Sequence, residues 1–291
     1  MAGGQRLGIL LFLASVGFIT VVDVIAKYLT AEMHAFQIVW GYFFGIFLYL
    51  ALYALGLGRG RRRNLLRTTR PGLQVVRSAL LVFSISSLFI GLTYLPIAEA
   101  TVIGFMAPLF IVVLSAPILG ERVDIHRWIA VLIGLAGVIV IVRPGGGIAH
   151  WAAIMPLVGA VAFALYQIAT RVLARSETTA TTLFYTAAGG FFWTCLLVPF
   201  VWVTPTLLHW LAFLFTGALG AAAHFCLIKA FERAQASLLA PINYSKLVWA
   251  TLAGYLVFGD LPGLDTAAGC ALIVASGLYV LLRERRAPEA S

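Results

Sequence analysis

The chain has 291 residues, of which 62% are hydrophobic and 11% are charged, and its mean hydropathy is +1.01. This composition excludes a soluble globular protein and is typical of a chain that crosses a membrane many times. A bilayer core about 30 Å thick needs roughly 20 apolar residues of helix, and on that criterion the hydropathy pattern predicts about ten spans. They are residues 7–29, 35–56, 73–94, 98–119, 126–143, 151–172, 181–203, 209–230, 236–258 and 263–282.

The basic residues predict the orientation of these spans. When the spans alternate, 17 of the 20 Lys and Arg residues fall on one side of the membrane, against Lys27 and Arg143 on the other. Because cytoplasmic loops carry an excess of Lys and Arg, we expect both termini in the cytoplasm and a multi-pass protein of the inner (plasma) membrane. The run "RGRRRNLLRTTR" at 59–70 is interpreted as part of this signal, in contact with anionic lipid headgroups, and not as a nucleic-acid site.

Several motifs of soluble enzymes are missing from the sequence. "PGGG" at 144–147 has no following Lys-Ser/Thr, so we interpret it as a connector and not as a phosphate loop. Cys195, Cys226 and Cys270 lie inside predicted spans without CxxC spacing, which predicts packing roles and neither a disulfide nor a metal site. No HExxH motif is present. We therefore expect a protein that is not an enzyme and that needs no metal or cofactor.

The sequence resembles itself at an offset of about 140 residues. "AEAT" at 98–101 corresponds to "AQAS" at 234–237, and each precedes an apolar span that ends in a Gly-acid pair. The sequence therefore predicts two five-span repeats, residues 1–146 and 147–291. Because five is an odd number, the second repeat enters the membrane from the opposite side, which is the inverted arrangement of many secondary transporters.

Two segments resemble a known group of transporters. They are "YLPIAEATVIGFMAPLFIVVLSAPILGERV" in the fourth span and "RAQASLLAPINYSKLVWATLAGYLVFGD" in the ninth. Together with the repeat, they resemble the drug/metabolite transporter superfamily in its EamA-type branch, which includes bacterial exporters of amino acids, aromatic ones among them. The resemblance implies an all-α membrane protein with ten transmembrane helices in a 5+5 inverted-topology repeat. Many members carry Glu-Pro where this chain has Lys246 and Leu247, so the resemblance implies no role for the lysine.

Lys246 is a charged residue in the middle of the ninth predicted span. A charge at the bilayer centre costs about 2.5 to 3.5 kcal/mol on insertion scales, and this lysine is too deep for its stem to reach an interface. Asn243 and Trp249 lie three residues before and after it, on one helix face. A cation, an amide and an aromatic surface would suit a substrate with a carboxylate and an aromatic group. The alternative is a lysine that is paired with a carboxylate or with backbone carbonyls and contacts no substrate.

Three other ionisable residues are candidates for coupling transport to protons. Asp23 lies inside the first span, where it would bind a substrate amine, carry a proton, or pair with Lys27 one turn later. His224 in the eighth span is either a proton-coupling group or a packing residue. Glu99 lies near the predicted outer mouth.

A stripe of polar and small residues recurs at helical spacing in the third span. It consists of Arg77, Ser84, Ser87, Gly91 and Tyr94, and it lines either a pathway or a close-packed helix seam. Arg77 is expected at the membrane interface. Further pathway candidates, chosen by depth or by repeat position, are Trp40, Tyr166, Gln167 and Thr170.

Helix interruptions are predicted at corresponding places in the two repeats, at "GFMAP" (104–108) and "APINYS" (240–245). Paired interruptions point to a binding site in carriers of this kind. Aromatic residues at the span ends, Trp202 and Trp210 among them, are expected to be interfacial anchors.

Together these features predict a secondary transporter that exports small amphiphilic metabolites by alternating access. Amino acids with aromatic or other apolar side chains are the leading substrates, and anionic or sugar-linked metabolites are the alternative. A channel is a further alternative. The predicted partners are the substrate, the lipid bilayer and, if transport is coupled, protons; nucleic acid is not expected.

Overall fold

Helices make up the described part of the chain. The computed structural model describes residues 2–56, 65–119, 125–142, 149–173, 176–233 and 245–286, and no residue in these ranges is in a strand. Within these ranges, five helical segments are long and apolar enough to cross a membrane, and five further apolar helices are shorter. The helices are α1 (Ala2–Leu29), α2 (Ala35–Gly56), α3 (Pro71–Tyr94), α4 (Ile97–Gly104), α5 (Ala107–Leu119), α6 (Ile125–Val142), α7 (Ala149–Ala152), α8 (Ile154–Leu173), α9 (Thr179–Leu197), α10 (Leu207–Arg233), α11 (Ser245–Ala253) and α12 (Leu264–Arg286).

The predicted spans correspond to helices, with local differences at their ends. Helix α3 begins at Pro71, two residues before the predicted start, because proline is favoured at the first helical position, where its missing N–H is not needed. The sixth predicted span begins with the short helix α7, and a turn at Ala153 separates it from α8. The ninth is described only from Ser245 onward, so most of the predicted interruption at 240–245 lies outside the described residues.

The fourth predicted span is two helices instead of one. Helix α4 ends at Gly104, residues 105 and 106 form a turn, and α5 begins at Ala107. Pro108 is the second residue of α5, where the absence of a backbone N–H breaks no hydrogen bond within that helix. The interruption predicted at 104–108 is therefore present.

Glycines allow pairs of helices to pack backbone against backbone. On α2, a Cβ atom at Gly45 would lie 2.6 Å from the carbonyl oxygen of Phe213 and 2.8 Å from the Cα of Gly217, both on α10. On α6, a Cβ atom at Gly137 would lie 2.8 Å from the carbonyl oxygen of Gly269 on α12. Small residues at such crossings are typical of membrane helices, where van der Waals contact replaces the hydrophobic effect as the driving force.

The helix pairs follow a regular scheme. Helix α1 packs on α10, α3 on α8, α2 on α9, and α6 on α12. Each of the first five predicted spans has a counterpart five spans later. When every span is replaced by its counterpart, the α1–α10 pair becomes the α8–α3 pair, and the α2–α9 and α6–α12 pairs map onto themselves. The scheme is compatible with the two predicted repeats, which stay a prediction.

Polar side chains are buried among these helices together with the apolar core. Gln37 at the start of α2 is fully buried, and its amide bonds both backbone groups of Val203: the side chain donates to the carbonyl at 2.6 Å and accepts from the N–H at 2.9 Å. Asp23 and Arg77 are also buried, at 4% and 3% exposed. Buried polar groups need hydrogen-bond or ion-pair partners inside the protein. The partners of Asp23 and Arg77 therefore show which polar groups face the interior of the bundle.

Candidate functional site

Lys246 forms an ion pair with Asp23. The ammonium Nζ lies 2.9 Å from Oδ2 of the carboxylate, and the two side chains are 18% and 6% exposed. The pair joins the start of α11 to the last third of α1. Ala250, four residues after the lysine on α11, is fully buried. Each charge thus removes most of the cost of burying the other.

Lys27, which the sequence offered as a partner for Asp23, contacts other groups. Its ammonium donates to the carbonyl oxygen of Leu95 at 2.7 Å and lies 3.8 Å from the carboxylate of Asp260 and 5.4 Å from the ring centroid of Phe258. Gly259 has a φ of +71°, which turns the chain sharply between Phe258 and Asp260. The lysine therefore ties the end of α1 to the α3–α4 and α11–α12 connections.

Arg77 lies inside the bundle, and the prediction that it is interfacial is wrong. Its Nε donates to Thr170 Oγ1 at 2.7 Å, its Nη2 to the Tyr166 hydroxyl at 2.9 Å, and its Nη1 to the Thr186 hydroxyl and the Thr182 carbonyl. The guanidinium carbon also lies 4.6 Å from the centroid of the Tyr166 ring. The physical reason is that hydroxyls of α8 and α9 replace the water that the guanidinium would otherwise seek at the interface.

The rest of the α3 stripe is a packing seam against α8. A Cβ atom at Gly159 would lie 3.0 Å from the backbone oxygen of Ser84 and 3.2 Å from the side chain of Ser87. One at Gly91 would lie 2.9 Å from the ring of Pro156. Of the two readings of the stripe, these contacts favour close packing at Ser84, Ser87 and Gly91.

Tyr94 ends α3 at the predicted outer face. It is 49% exposed, and its ring centroid lies 4.8 Å from that of Trp151 in an edge contact. Glu99, nearby in α4, accepts a hydrogen bond from the Thr266 hydroxyl at 3.3 Å. The role of both residues in binding or coupling stays a prediction.

Trp40 is the centre of an aromatic cluster between α2, α9 and α10. Its indole N–H points at the sulfur of Cys195 at 3.3 Å. Its ring centroid lies 5.4 Å from that of Trp202 and 6.0 Å from that of Trp210, both in edge contacts. These two tryptophans, expected to be interfacial anchors, therefore also pack in this cluster, and their role as anchors stays a prediction. Its other members are Phe44, Phe191 and Phe213.

His224 lies beside Tyr42, whose hydroxyl is 3.5 Å from the imidazole Nε2. The histidine borders a cavity that Phe43, Ile46 and Thr186 also line. Because Thr186 binds Arg77, the cavity lies next to the buried guanidinium.

Three predicted site residues are not brought to the ion pair by described contacts. Asn243 lies outside the described residues. Trp249 is 45% exposed, on the side of α11 that also carries the exposed Val248 and Leu252. Gln167 is half-buried, and its role stays a prediction. Among the described residues, no group of His, Cys, Asp and Glu has the arrangement of a metal site.

Sequence reasoning missed Tyr42 and Thr186, whereas Thr170 was already a pathway candidate. Thr170 had a usable signal, because it lies one turn after Tyr166 and so shares its helix face. Thr186 and Tyr42 had none, because a hydroxyl in a span is too common to single out before the helices are packed.

Known proteins resemble this chain over nearly its whole length. An S-adenosylmethionine uptake transporter of Rickettsia prowazekii is 31% identical over 280 residues, which cover 96% of this chain and 94% of the relative. A riboflavin transporter of Rhizobium johnstonii is 29% identical over 284 residues, covering 94% and 90%. A crystal structure aligns with a TM-score of 0.65 and 25% identity, over 98% of this chain and 99% of its own.

The sequence profile of the EamA-like transporter family matches this chain twice, at residues 6–143 and 150–282. A match over both parts of the sequence, with a relative 31% identical along almost its full length, establishes the family. The chain belongs to the EamA-like transporter family and is a multi-pass membrane protein with a transport role.

Proposed function

We propose that the chain is a secondary transporter that takes up a zwitterionic metabolite built from an α-amino acid head and a planar aromatic ring, with S-adenosylmethionine as the first candidate. The observation that carries the proposal is the ion pair between Lys246 and Asp23. A buried cation and anion in contact match the carboxylate and the ammonium of an amino acid head, group for group.

The ion pair is able to exchange partners with such a substrate. In the unliganded protein each charge neutralises the other, which makes the interior tolerable without substrate. A zwitterion brings one charge of each sign, so its carboxylate replaces Asp23 at Lys246 and its ammonium replaces Lys246 at Asp23. The carboxylate and the ammonium of the head add no net charge to the pair, and the partial exposure of the Lys246 side chain, 18%, gives the substrate a point of entry.

The aromatic cluster around Trp40 supplies a surface for the ring and the sulfonium of the same substrate. Planar heterocycles stack on aromatic side chains, and cations are attracted to the faces of tryptophan rings. Trp40 itself is only 8% exposed, while Trp202 in the same cluster is 44% exposed. The exposed part of the cluster is where a ring would first bind.

Riboflavin is the second candidate, because a relative of similar identity is a riboflavin transporter. Riboflavin has a large planar ring and a neutral polyol chain, so it would use the aromatic cluster and leave the ion pair closed. The export of aromatic amino acids, expected from the sequence, finds no support in the relatives reported above, one of which is an uptake transporter. Those amino acids share the zwitterionic head and therefore belong in the test.

Alternating access of two inverted repeats is the mechanism we propose for this uptake. The tandem profile match and the helix pairing that is kept when the halves are exchanged support ten spans in two repeats. The excess of Lys and Arg on one side supports cytoplasmic termini in the inner membrane of a bacterium. Asp23, His224 and Glu99 remain the candidate proton carriers, and uptake with and without an imposed pH gradient tests the coupling.

Uptake of labelled S-adenosylmethionine into proteoliposomes tests the proposal. We expect saturable uptake that unlabelled S-adenosylmethionine competes and that Lys246→Ala lowers tenfold or more, since a charge-assisted bond is worth about 1.5 to 3 kcal/mol. The matched control is Arg67→Gln, because Arg67 is an exposed cation in the α2–α3 connection. If only riboflavin competes, riboflavin becomes the proposed substrate. If only phenylalanine or tryptophan competes, an aromatic amino acid becomes the proposed substrate.

A further inference from the structure

We infer that Arg77 and Tyr166 form a second binding station on the transport path, in the cytoplasmic half of the bundle, and that its ligand is a carboxylate. The inference rests on the proposed function for the identity of the transported molecule, but not for the binding itself. It goes beyond the Lys246 pair, which lies in the last third of α1.

The starting point is that Arg77 carries a buried charge held by neutral groups. The guanidinium is 3% exposed, and its described partners are three hydroxyls and one backbone carbonyl. Among the described residues no carboxylate lies within salt-bridge distance of it. Lys246 in contrast is neutralised by Asp23 at 2.9 Å. A net positive charge therefore remains at Arg77, and an unpaired charge inside a membrane protein marks a functional site.

The hydrogen bonds also leave donors for an anion. A guanidinium has five N–H groups, and the described partners accept from four of them, which leaves one N–H on Nη2. The Tyr166 hydroxyl accepts from that same Nη2 at 2.9 Å, so its own hydrogen is available to donate. Two neighbouring donors, one of them charged, match the two oxygens of a carboxylate.

The other hydroxyls fix the guanidinium in this orientation. Thr170 accepts from Nε and donates its own hydrogen to the Tyr166 carbonyl at 2.7 Å, one turn earlier in α8. Thr186 accepts from Nη1 and donates to the Thr182 carbonyl at 2.7 Å, one turn earlier in α9. Because both hydroxyls use their hydrogens on their own helices, only their lone pairs face the arginine. The two helices therefore hold the cation in place without cancelling its charge.

Open space lies one side chain away from the guanidinium, on the far side of Thr186, which accepts from its Nη1. Thr186 lines the cavity that also meets His224, Phe43 and Ile46. A carboxylate attached to an apolar group would place the group in this largely apolar cavity and its charge against the guanidinium. An amino acid head released from Lys246 would meet this cation next, in the half of the bundle that is nearer the predicted cytoplasmic face.

A pair of probes that differ only in charge tests the station directly. Benzoate and benzamide share a ring and nearly a shape, and only benzoate is an anion. In the full-length protein in detergent, followed by tryptophan fluorescence during heating, we expect benzoate to raise Tm in a saturable way and benzamide to leave it nearly unchanged. Arg77→Gln should weaken benzoate binding about tenfold to a hundredfold, as expected for loss of a charged hydrogen bond.

Further variants keep the test decisive if Arg77→Gln does not fold. Arg77→Lys keeps the charge but loses the planar fork, and Tyr166→Phe keeps the ring but loses the second donor, so each should weaken benzoate binding by a smaller factor. Arg67→Gln, which changes an exposed cation, should leave the benzoate shift intact. An unchanged benzoate shift in the folded Arg77 and Tyr166 variants, or no shift in the wild-type protein, would overturn the inference.

The same experiment separates this inference from the proposed function. Lys246→Ala should lower uptake of S-adenosylmethionine tenfold or more and retain the benzoate shift, because the inference places benzoate at Arg77 and not at Lys246. If the wild-type protein does not transport S-adenosylmethionine but shows an Arg77-dependent benzoate shift, the proposed substrate is wrong and the station stands.

Discussion

Lys246 and Asp23 hold α11 against α1 through an ion pair of 2.9 Å between helices at opposite ends of the sequence. Both side chains are largely buried, so removal of one charge leaves the other without compensation. Asp23→Asn and Lys246→Gln should each lower the free energy of unfolding by about 3 to 5 kcal/mol. Unfolding in detergent, followed by tryptophan fluorescence, measures the loss.

The double variant Asp23→Asn with Lys246→Gln gives the control for this prediction. With both charges gone no unpaired charge remains, so the double variant should be more stable than either single variant. Asp260→Asn serves as a comparison, because its carboxylate is 37% exposed and 3.8 Å from Lys27, and its loss should cost less than about 1 kcal/mol. Additive losses in the double variant would show that the pair is not coupled.

Sequence reasoning found Lys246 because an isolated charge in an apolar run is costly and therefore conspicuous. It did not identify Asp23 as the partner of Lys246, because Lys27 lies one turn after Asp23 and was the nearer candidate cation. The contact between Asp23 and Lys246 depends on how α1 and α11 pack. The interruption at 104–108 was predictable for a simpler reason: the chemistry of proline acts on its own helix.

The sequence led to the wrong prediction that Arg77 lies at the interface, and the reason is again physical. It lies about a turn and a half from the start of α3, where a long side chain is free to reach an interface. Only the packed structure shows that Tyr166, Thr170 and Thr186 surround it with oxygen atoms. Hydroxyl groups on separate helices leave no joint pattern in the sequence.

The glycine crossing between α2 and α10 should tolerate no side chain. In Gly45→Ala the new methyl group would lie 2.6 Å from the Phe213 carbonyl oxygen and 2.8 Å from Gly217 Cα, and both are backbone atoms that cannot rotate away. We expect a loss of about 1 to 3 kcal/mol from overpacking, measured by thermal unfolding. Gly17→Ala in α1 is the matched control, because no atom lies within 4 Å of its added Cβ. The control should gain about 0.5 to 1 kcal/mol from helix propensity, and a gain at Gly45 as well would contradict the crossing.

Gly259 should not tolerate replacement by alanine either, and the reason is its backbone conformation. Its φ is +71° and nothing lies within 4 Å of an added Cβ, so Gly259→Ala causes no clash but places an L-residue in the left-handed region at a cost of about 1 to 2 kcal/mol. Gly263→Ala also meets open space, without a left-handed φ, and should be nearly neutral. Equal unfolding temperatures for the two variants would rule out strain at the turn that carries Asp260.

Glu177 should make the contact between two connections dependent on pH. Its Oε1 accepts from the backbone N–H of Thr69 at 2.6 Å, from the Thr69 hydroxyl at 2.7 Å and from the Thr68 hydroxyl at 2.9 Å. These bonds, that of the Thr69 hydroxyl above all, lower the pKa of the carboxyl group below its usual value. They join the α2–α3 connection to the α8–α9 connection, both on the predicted cytoplasmic side.

The sign of the effect follows from the lowered pKa. A carboxyl group with a lower pKa in the folded state stabilises fully above its unfolded pKa, about 4.3 for glutamate, and loses that contribution as the pH falls through the folded pKa. The Tm of the wild-type protein should therefore exceed that of Glu177→Gln by a constant amount between about pH 6 and 8, and the difference should shrink below about pH 4.3. Thr69→Val removes the hydroxyl donor that lowers the pKa most, and in that background the dependence of the difference on pH should weaken. A difference that persists unchanged to pH 3 would show that Glu177 acts through its shape and not through its charge.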